Sequence, residues 1–180
     1  MSAAFLTDIR RTFRNYRTLA ERAVAHVADE RLHVALDADD NSIAVIMQHV
    51  AGNLRSRFTH FLTTDGEKPD RNRDGEFEAR AQTRAVLMTD WNSAWDVVLG
   101  ELDALTPDDL GRTVTIRHEP FAVVEALNRS VTHTAYHVGQ IVLLSRHLAG
   151  PGWTSLSIPK GKSAAFGVGT FKQGIVPGAR

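Results

Sequence analysis

Apolar residues recur at three- and four-residue steps along four stretches of the chain, and each stretch predicts an amphipathic helix. The first covers residues 2–27, with Ile9, Phe13, Tyr16, Ala20, Ala23 and Val27 on one stripe. The second covers residues 42–64, where Asp40, Asn41 and Ser42 offer N-cap oxygens. Its stripe runs through Ile46, His49 or Val50, Asn53 or Leu54, Arg57 and Phe61. The third covers residues 83–105, with Leu87, Trp91, Trp95, Val98, Leu102 and Leu105 on one side, and Thr106-Pro107 stops it. The fourth covers residues 120–149, opened by Pro120 and closed by Gly150-Pro151. It carries two apolar stripes. Val124, Leu127, Val131, Val138, Ile141 and Leu148 form one; Ala126, His133, His137, Gln140 and Leu144 form the other. Two such faces predict a central helix that touches more than one neighbour.

The connections are polar. Residues 65–76 mix both charge signs densely and read as a solvated loop. Residues 113–117 alternate and suit a short extended piece, but a lone five-residue strand is marginal and predicts no sheet. Residues 151–180 hold six Gly, three Pro, four basic residues and no acidic one, so they predict an irregular tail after a helical domain at 1–150. Trp153, Leu156, Ile158 and Phe166 are its candidate anchors on the body. With long amphipathic segments and no βαβ alternation, the fold class is all-α, a four-helix bundle.

Composition narrows the chemistry. The 180 residues include 21 Lys+Arg, 21 Asp+Glu, eight His and no Cys. Without Cys there is no disulfide scaffold, thiolate zinc site, iron–sulfur cluster or thiol nucleophile, so a metal must rest on His, Asp or Glu. A formal charge of zero argues against general nucleic-acid binding. No apolar run approaches the roughly 18 residues of a spanning helix, and Asp8 interrupts the N-terminus before a signal-peptide core forms. The expectation is a soluble cytoplasmic protein with no nucleic-acid or membrane partner.

The chemistry-bearing pattern is His133-Thr-Ala-Tyr-His137. Two His at i and i+4 stand one above the other on a helix face and can share an ion. Satisfied or solvent-facing histidines are the plainer reading, but two imidazoles turned into a bundle core need partners for a donor and an acceptor each. His49, on the inner stripe of the second helix, supplies a third ligand. Three neutral imidazoles leave a coordination position open, as catalytic sites do. Imidazole suits zinc, nickel, iron or copper. Asn53 and Gln140, one turn from these residues, either orient a substrate or bound water or are helix-surface amides without a role. The other five histidines read as surface or capping residues, and His60 is too far along the second helix to share the ion. Formal matches to di-iron, zincin, P-loop and Ser-x-x-Lys motifs fail on spacing or on context.

With His49, the His-x-x-x-His pair and Gly139-Gln140, the chain resembles the DinB-like (YfiT-like) metal-binding superfamily of bacterial four-helix bundles. Three segments resemble one uncharacterised branch of it: His49-Val-Ala-Gly-Asn53-Leu-Arg-Ser-Arg57-Phe; Asp65-Gly-Glu-Lys-Pro with Arg71-Asn-Arg-Asp-Gly-Glu-Phe77; and Leu156-Ser-Ile-Pro-Lys-Gly161. The similarity extends to about Phe166. It implies a divalent metal on His49, His133 and His137, zinc or nickel ahead of iron or copper, and a homodimer. It also implies thiol-dependent S-transfer with a low-molecular-weight cosubstrate, metal-dependent hydrolysis being the alternative and a non-catalytic stress-response or binding module the third reading. Under the resemblance the charged loop rims the site, where Arg55, Arg57, Arg71 and Arg73 are candidates to bind an anionic substrate. No catalytic acid or base is assigned.

Overall fold

A computed structural model describes residues 2–165. Four helices form the bundle: α1 (Ser2–Val24), α2 (Ile43–Phe58), α3 (Arg84–Ala104) and α4 (Val123–Ala149). α2 packs chiefly on α3 and α1 chiefly on α4, while α2 against α4 closes the bundle. The predicted stripes form the core. Phe13, Trp91, Trp95 and Phe58 are fully buried, and Phe13 meets Phe58 and Trp95 edge-on at centroid distances of 5.6 and 6.2 Å. Each such ring stabilises the fold by about 1.5–3 kcal/mol through burial alone. α4 touches α1, α2 and the elements before it, as its two stripes require, but α2 is the more enclosed helix, with nearly every residue buried.

Side-chain caps open two helices, one at the predicted Ser42 and one at Thr83, a cap not singled out from the sequence. Ser42 Oγ accepts from the Val45 N–H and Thr83 Oγ1 from the Val86 N–H, both at 3.3 Å. The ends differ. α1 stops at Val24 because its last turn tightens to i→i−3 bonds from His26 and Val27. α2 stops at Phe58, six residues short of expectation: Thr59 turns extended (ψ 117°) and His60 is left-handed (φ 51°). His60 therefore lies beyond the helix. Neither Gly nor Pro marks this stop.

The largest departure precedes α4. Residues 113–122 form an antiparallel hairpin, β1 (Thr113–Ile116) with β2 (Glu119–Ala122), in the register Ile116–Glu119 and Thr115–Pro120. Pro120 is thus a strand residue and not the first residue of a helix. Next to a two-residue turn the Ile116–Glu119 pair exchanges the ladder bonds, so Pro120 sits where no N–H is needed. α4 starts at Val123, where Glu125 Oε2 accepts the Ala122 N–H at 2.8 Å.

The strand stands because it is not isolated. The Gly66 N–H donates to the Thr115 carbonyl at 2.8 Å, and the Asp65 carboxylate accepts the N–H groups of Arg117 and His118, both at 2.8 Å. Those two turn residues are left-handed (φ 55° and 66°), a conformation that costs non-glycine residues energy and that Asp65 stabilises. Burial opposes ionisation of Asp65, but donation from the backbone of Glu67, His118 and Arg117 outweighs it and holds the carboxyl below its ordinary range.

After α4, residues 151–165 are irregular apart from single turns. Leu156 is buried and Trp153 packs on the core, as expected of anchors. Phe166 and the remainder of the tail lie outside the described residues.

Candidate metal centre

α2 and α4 bring His49, His133 and His137 together. One nitrogen from each lies within 4.8 Å of the others, and His49 and His137 are buried with His133 half-buried. The Nε2 atoms of His49 and His133 are 3.3 Å apart. His133 and His137 have ring centroids 4.6 Å apart, as the i, i+4 spacing dictates. No carboxylate belongs to this cluster among the described residues.

Two of the rings have a set tautomer. The His49 Nδ1–H donates to Glu76 Oε2 at 2.9 Å, which leaves its Nε2 lone pair facing His133. The His137 Nδ1–H donates to Gln140 Oε1 at 2.8 Å, and the Gln140 amide in turn donates to the Tyr136 hydroxyl at 3.3 Å. Outer partners of this kind are what orient metal-binding imidazoles. Burial, reinforced by His137, His49, Arg57 and Arg71, pushes His133 down to about 3. Burial also lowers His137, against its bond to Gln140. Both are therefore neutral at neutral pH, the form that can donate a lone pair.

The donor set fits a divalent ion. Tetrahedral metal–imidazole bonds of about 2.0–2.1 Å separate two nitrogens by about 3.3 Å, the spacing seen between His49 and His133.

Glu76 is the residue that sequence reasoning missed, and it overturns the reading of residues 65–76 as a solvated loop. Its side chain is 8% exposed and takes a two-point contact from Arg71, itself 5% exposed, with Nε and Nη2 each at 2.8 Å from an oxygen. Burial disfavours the charge on Glu76, but Arg71 and His49 more than restore it and its pKa is lowered. Gln48, next to His49, donates to the backbone carbonyls of Gly75, Glu76 and Glu78 at 2.9–3.2 Å and fixes the loop against α2. Gly52 makes room: a Cβ there would stand 2.3 Å from Glu76 Oε1. A glycine inside a helix, one turn from a candidate ligand, was the available signal. Phe77 completes the wall, its ring centroid 4.4 Å from that of His49.

The remaining candidates separate. Asn53, buried, lines the cavity that opens on His49 and His133, one turn along α2. Arg57 lines the same cavity, hydrogen-bonded to the Gly66 carbonyl and paired with Glu67 at 3.1 Å. Gln140 touches His137 directly. Arg71 is committed to Glu76 and Glu67, Arg73 lies over the Phe77 ring at 5.4 Å, and Arg55 pairs with Asp90 at 2.6 Å on a different groove. Of the other histidines, His26 bridges the Arg22 carbonyl and Thr154, both at 2.8 Å, and His33 donates to the Gln82 carbonyl at 2.9 Å. His118 is at the exposed hairpin tip and His147 is exposed in the last turn of α4.

No curated protein matches the chain. Among solved structures, the chain is similar to the crystal structure of a DinB-like protein from Bacillus subtilis, with 13% identity and a TM-score of 0.53 over 79% of this chain and 93% of that one. At that identity the likeness is one of fold. Residues 1–162 match the family described as "Protein of unknown function (DUF1572)". The chain belongs to the DUF1572 family and has the four-helix bundle of DinB-like proteins.

Proposed function

We propose that the protein is a metal-dependent enzyme in which His49, His133 and His137 hold a divalent ion, zinc or nickel in first place. The observation that carries this reading is the convergence of three imidazole nitrogens within 4.8 Å, two of them with their second nitrogen occupied by Glu76 and Gln140. Such an ion supplies a Lewis acid that lowers the pKa of a thiol or water joining it. Glu76 and Gln140 keep the two rings aimed, Phe77 lies against the His49 ring, and Asn53 and Arg57 present polar groups to a bound substrate. The reaction class we favour is S-transfer from a low-molecular-weight thiol to an electrophilic carbon. The thiol arrives with a cosubstrate, because the chain has no Cys. We place the protein in the cytoplasm as a homodimer; among the described residues, no helix is long and apolar enough to cross a membrane.

The test is metal analysis of protein purified without an affinity His-tag, beside His133→Ala. One equivalent of metal in the wild type, lost in the variant, is expected; equal metal in both proteins sinks the site. A screen of electrophiles with several cellular thiols then reads the reaction. Turnover of esters or amides with water and no thiol would favour hydrolysis. A metal-bearing protein inert to both would point to a binding module.

A further inference from the structure

The cavity that opens on His49 and His133 has a volume of about 500 Å³, within the range of small-molecule sites. Five arginines line it, Arg57, Arg71, Arg73, Arg117 and Arg129, and no carboxylate does. Glu67 stands behind three of them. It pairs with Arg57 at 3.1 Å, Arg71 at 3.2 Å and Arg117 at 3.0 Å, and so fixes their positions without cancelling their charge. Glu76 answers Arg71 only. Arg73 has the almost fully exposed Asp74 at 3.7 Å. Arg129, one turn before His133, has no hydrogen bond or ion pair among the described residues and rests over the Phe121 ring at 5.9 Å. Ser130 lines the cavity too, is 7% exposed, and its hydroxyl has no hydrogen-bond partner among the described residues. The buried Ser130 hydroxyl is without an acceptor, and the exposed Arg129 guanidinium borders the same cavity without a hydrogen-bond or ion-pair partner among the described residues.

The cavity has a direction. His49, Asn53 and Arg57 follow one another along α2 at one residue per turn; His133, Ser130 and Ala126 do the same along α4 in the opposite sense. The arginine end, with Arg57, Arg117 and Arg129, begins about one turn from the histidines, at Arg129, and reaches about 12 Å of helix rise from them, at Arg57.

Resting on the reading above for the histidine end, we infer that the site takes an elongated small molecule bearing a carboxylate or phosphate. The acidic group is bound by Arg117, Arg129 and Ser130 with Arg57 behind, and the reacting group is delivered to His49 and His133. Arg117 and Arg129 set the specificity for the anion. Of the four arginines that the sequence offers as anion binders, Arg55 and Arg71 take no part: one faces another groove and the other holds Glu76.

The experiment is calorimetric titration at low ionic strength with inorganic phosphate and, separately, succinate. The proteins are wild type, Arg129→Gln, Arg117→Gln/Arg129→Gln, Arg55→Gln and His133→Ala. Arg129→Gln removes no hydrogen bond or ion pair, so its fold is secure. Wild type is expected to bind at least one probe in the millimolar range; which probe binds more tightly identifies phosphate or carboxylate as the group read. Arg129→Gln is expected to weaken binding about threefold and the double variant at least tenfold, while Arg55→Gln stays within twofold of wild type. Equal binding by wild type and the double variant overturns the inference, as does the absence of binding for both probes. Binding lost in His133→Ala but kept in the double variant also overturns it, because the anion would then sit at the histidines. A metal-free wild type whose phosphate binding still depends on Arg117 and Arg129 removes the metal reading and leaves the anion pocket standing.

Discussion

Glu76 is the residue on which the site turns. It is a buried carboxylate held by one buried cation and by one imidazole, so Glu76→Gln leaves Arg71 without its full counter-charge and weakens the orientation of His49. Disrupting a buried pair of this kind costs about 3 kcal/mol or more, and loss of an outer partner costs about 10–100-fold in metal affinity. Both effects are expected in Glu76→Gln, read by denaturant unfolding and by zinc competition against a chromogenic chelator. A variant with wild-type zinc affinity would show that His49 needs no partner. The three histidines were legible because helical spacing alone places His133 over His137 and sets His49 on an inward stripe. Glu76 was not legible. It reaches His49 across 27 residues of chain, through a loop whose composition resembles solvated loops in general. Charge density in sequence does not distinguish ions facing water from ions facing each other.

At the level of elements, the bundle was readable from periodicity, and the short pieces that shape the site were not. The hairpin is held by Asp65 and Gly66 from a distant loop, a tertiary contact that overrides the weak intrinsic tendency of a five-residue strand. The early end of α2 likewise has no local breaker, and only the left-handed His60 marks it. Asp65→Ala removes the acceptor for three backbone N–H groups and is expected to cost about 1–3 kcal/mol. Because Arg117 belongs to that turn, the same change should loosen the arginine end of the cavity, seen as faster amide exchange in residues 113–122. Gly52→Ala tests the fit between helix and loop. Ala favours a helix interior by about 1 kcal/mol, but its Cβ must displace Glu76. Zinc affinity is expected to fall at least tenfold while helicity by circular dichroism stays unchanged; undiminished affinity would mean that Glu76 can move without consequence.

For the molecule as a whole, stability is coupled to pH through the centre. His133 takes up its proton at about 3 when folded, against an ordinary 6.5. Between these values the unfolded chain holds a proton that the folded one excludes, so stability rises with pH across the window and falls as pH drops below about 6.5. Glu76 works in the same direction at lower pH: its folded pKa is depressed, so its contribution is present above the ordinary carboxylate value and is lost on acidification through the folded one. Denaturant midpoints in chelator are expected to fall from pH 7 to pH 5, with a shallower fall in His133→Ala. Identical slopes in the two proteins would place the proton-linked group elsewhere.

His49 and His133 are 84 residues apart, and both faces of the centre belong to helices separated by α3 and the hairpin. At translation rates of about 5–20 residues per second, His133 is made about 4–17 seconds after His49. Until then α2 carries a single imidazole and half a cavity, too little to retain a divalent ion. Docking of α4 is the event that creates the centre, so a nascent or truncated chain lacking it has nothing with which to sequester metal. Metal occupancy would therefore be acquired late and would report that the bundle has closed.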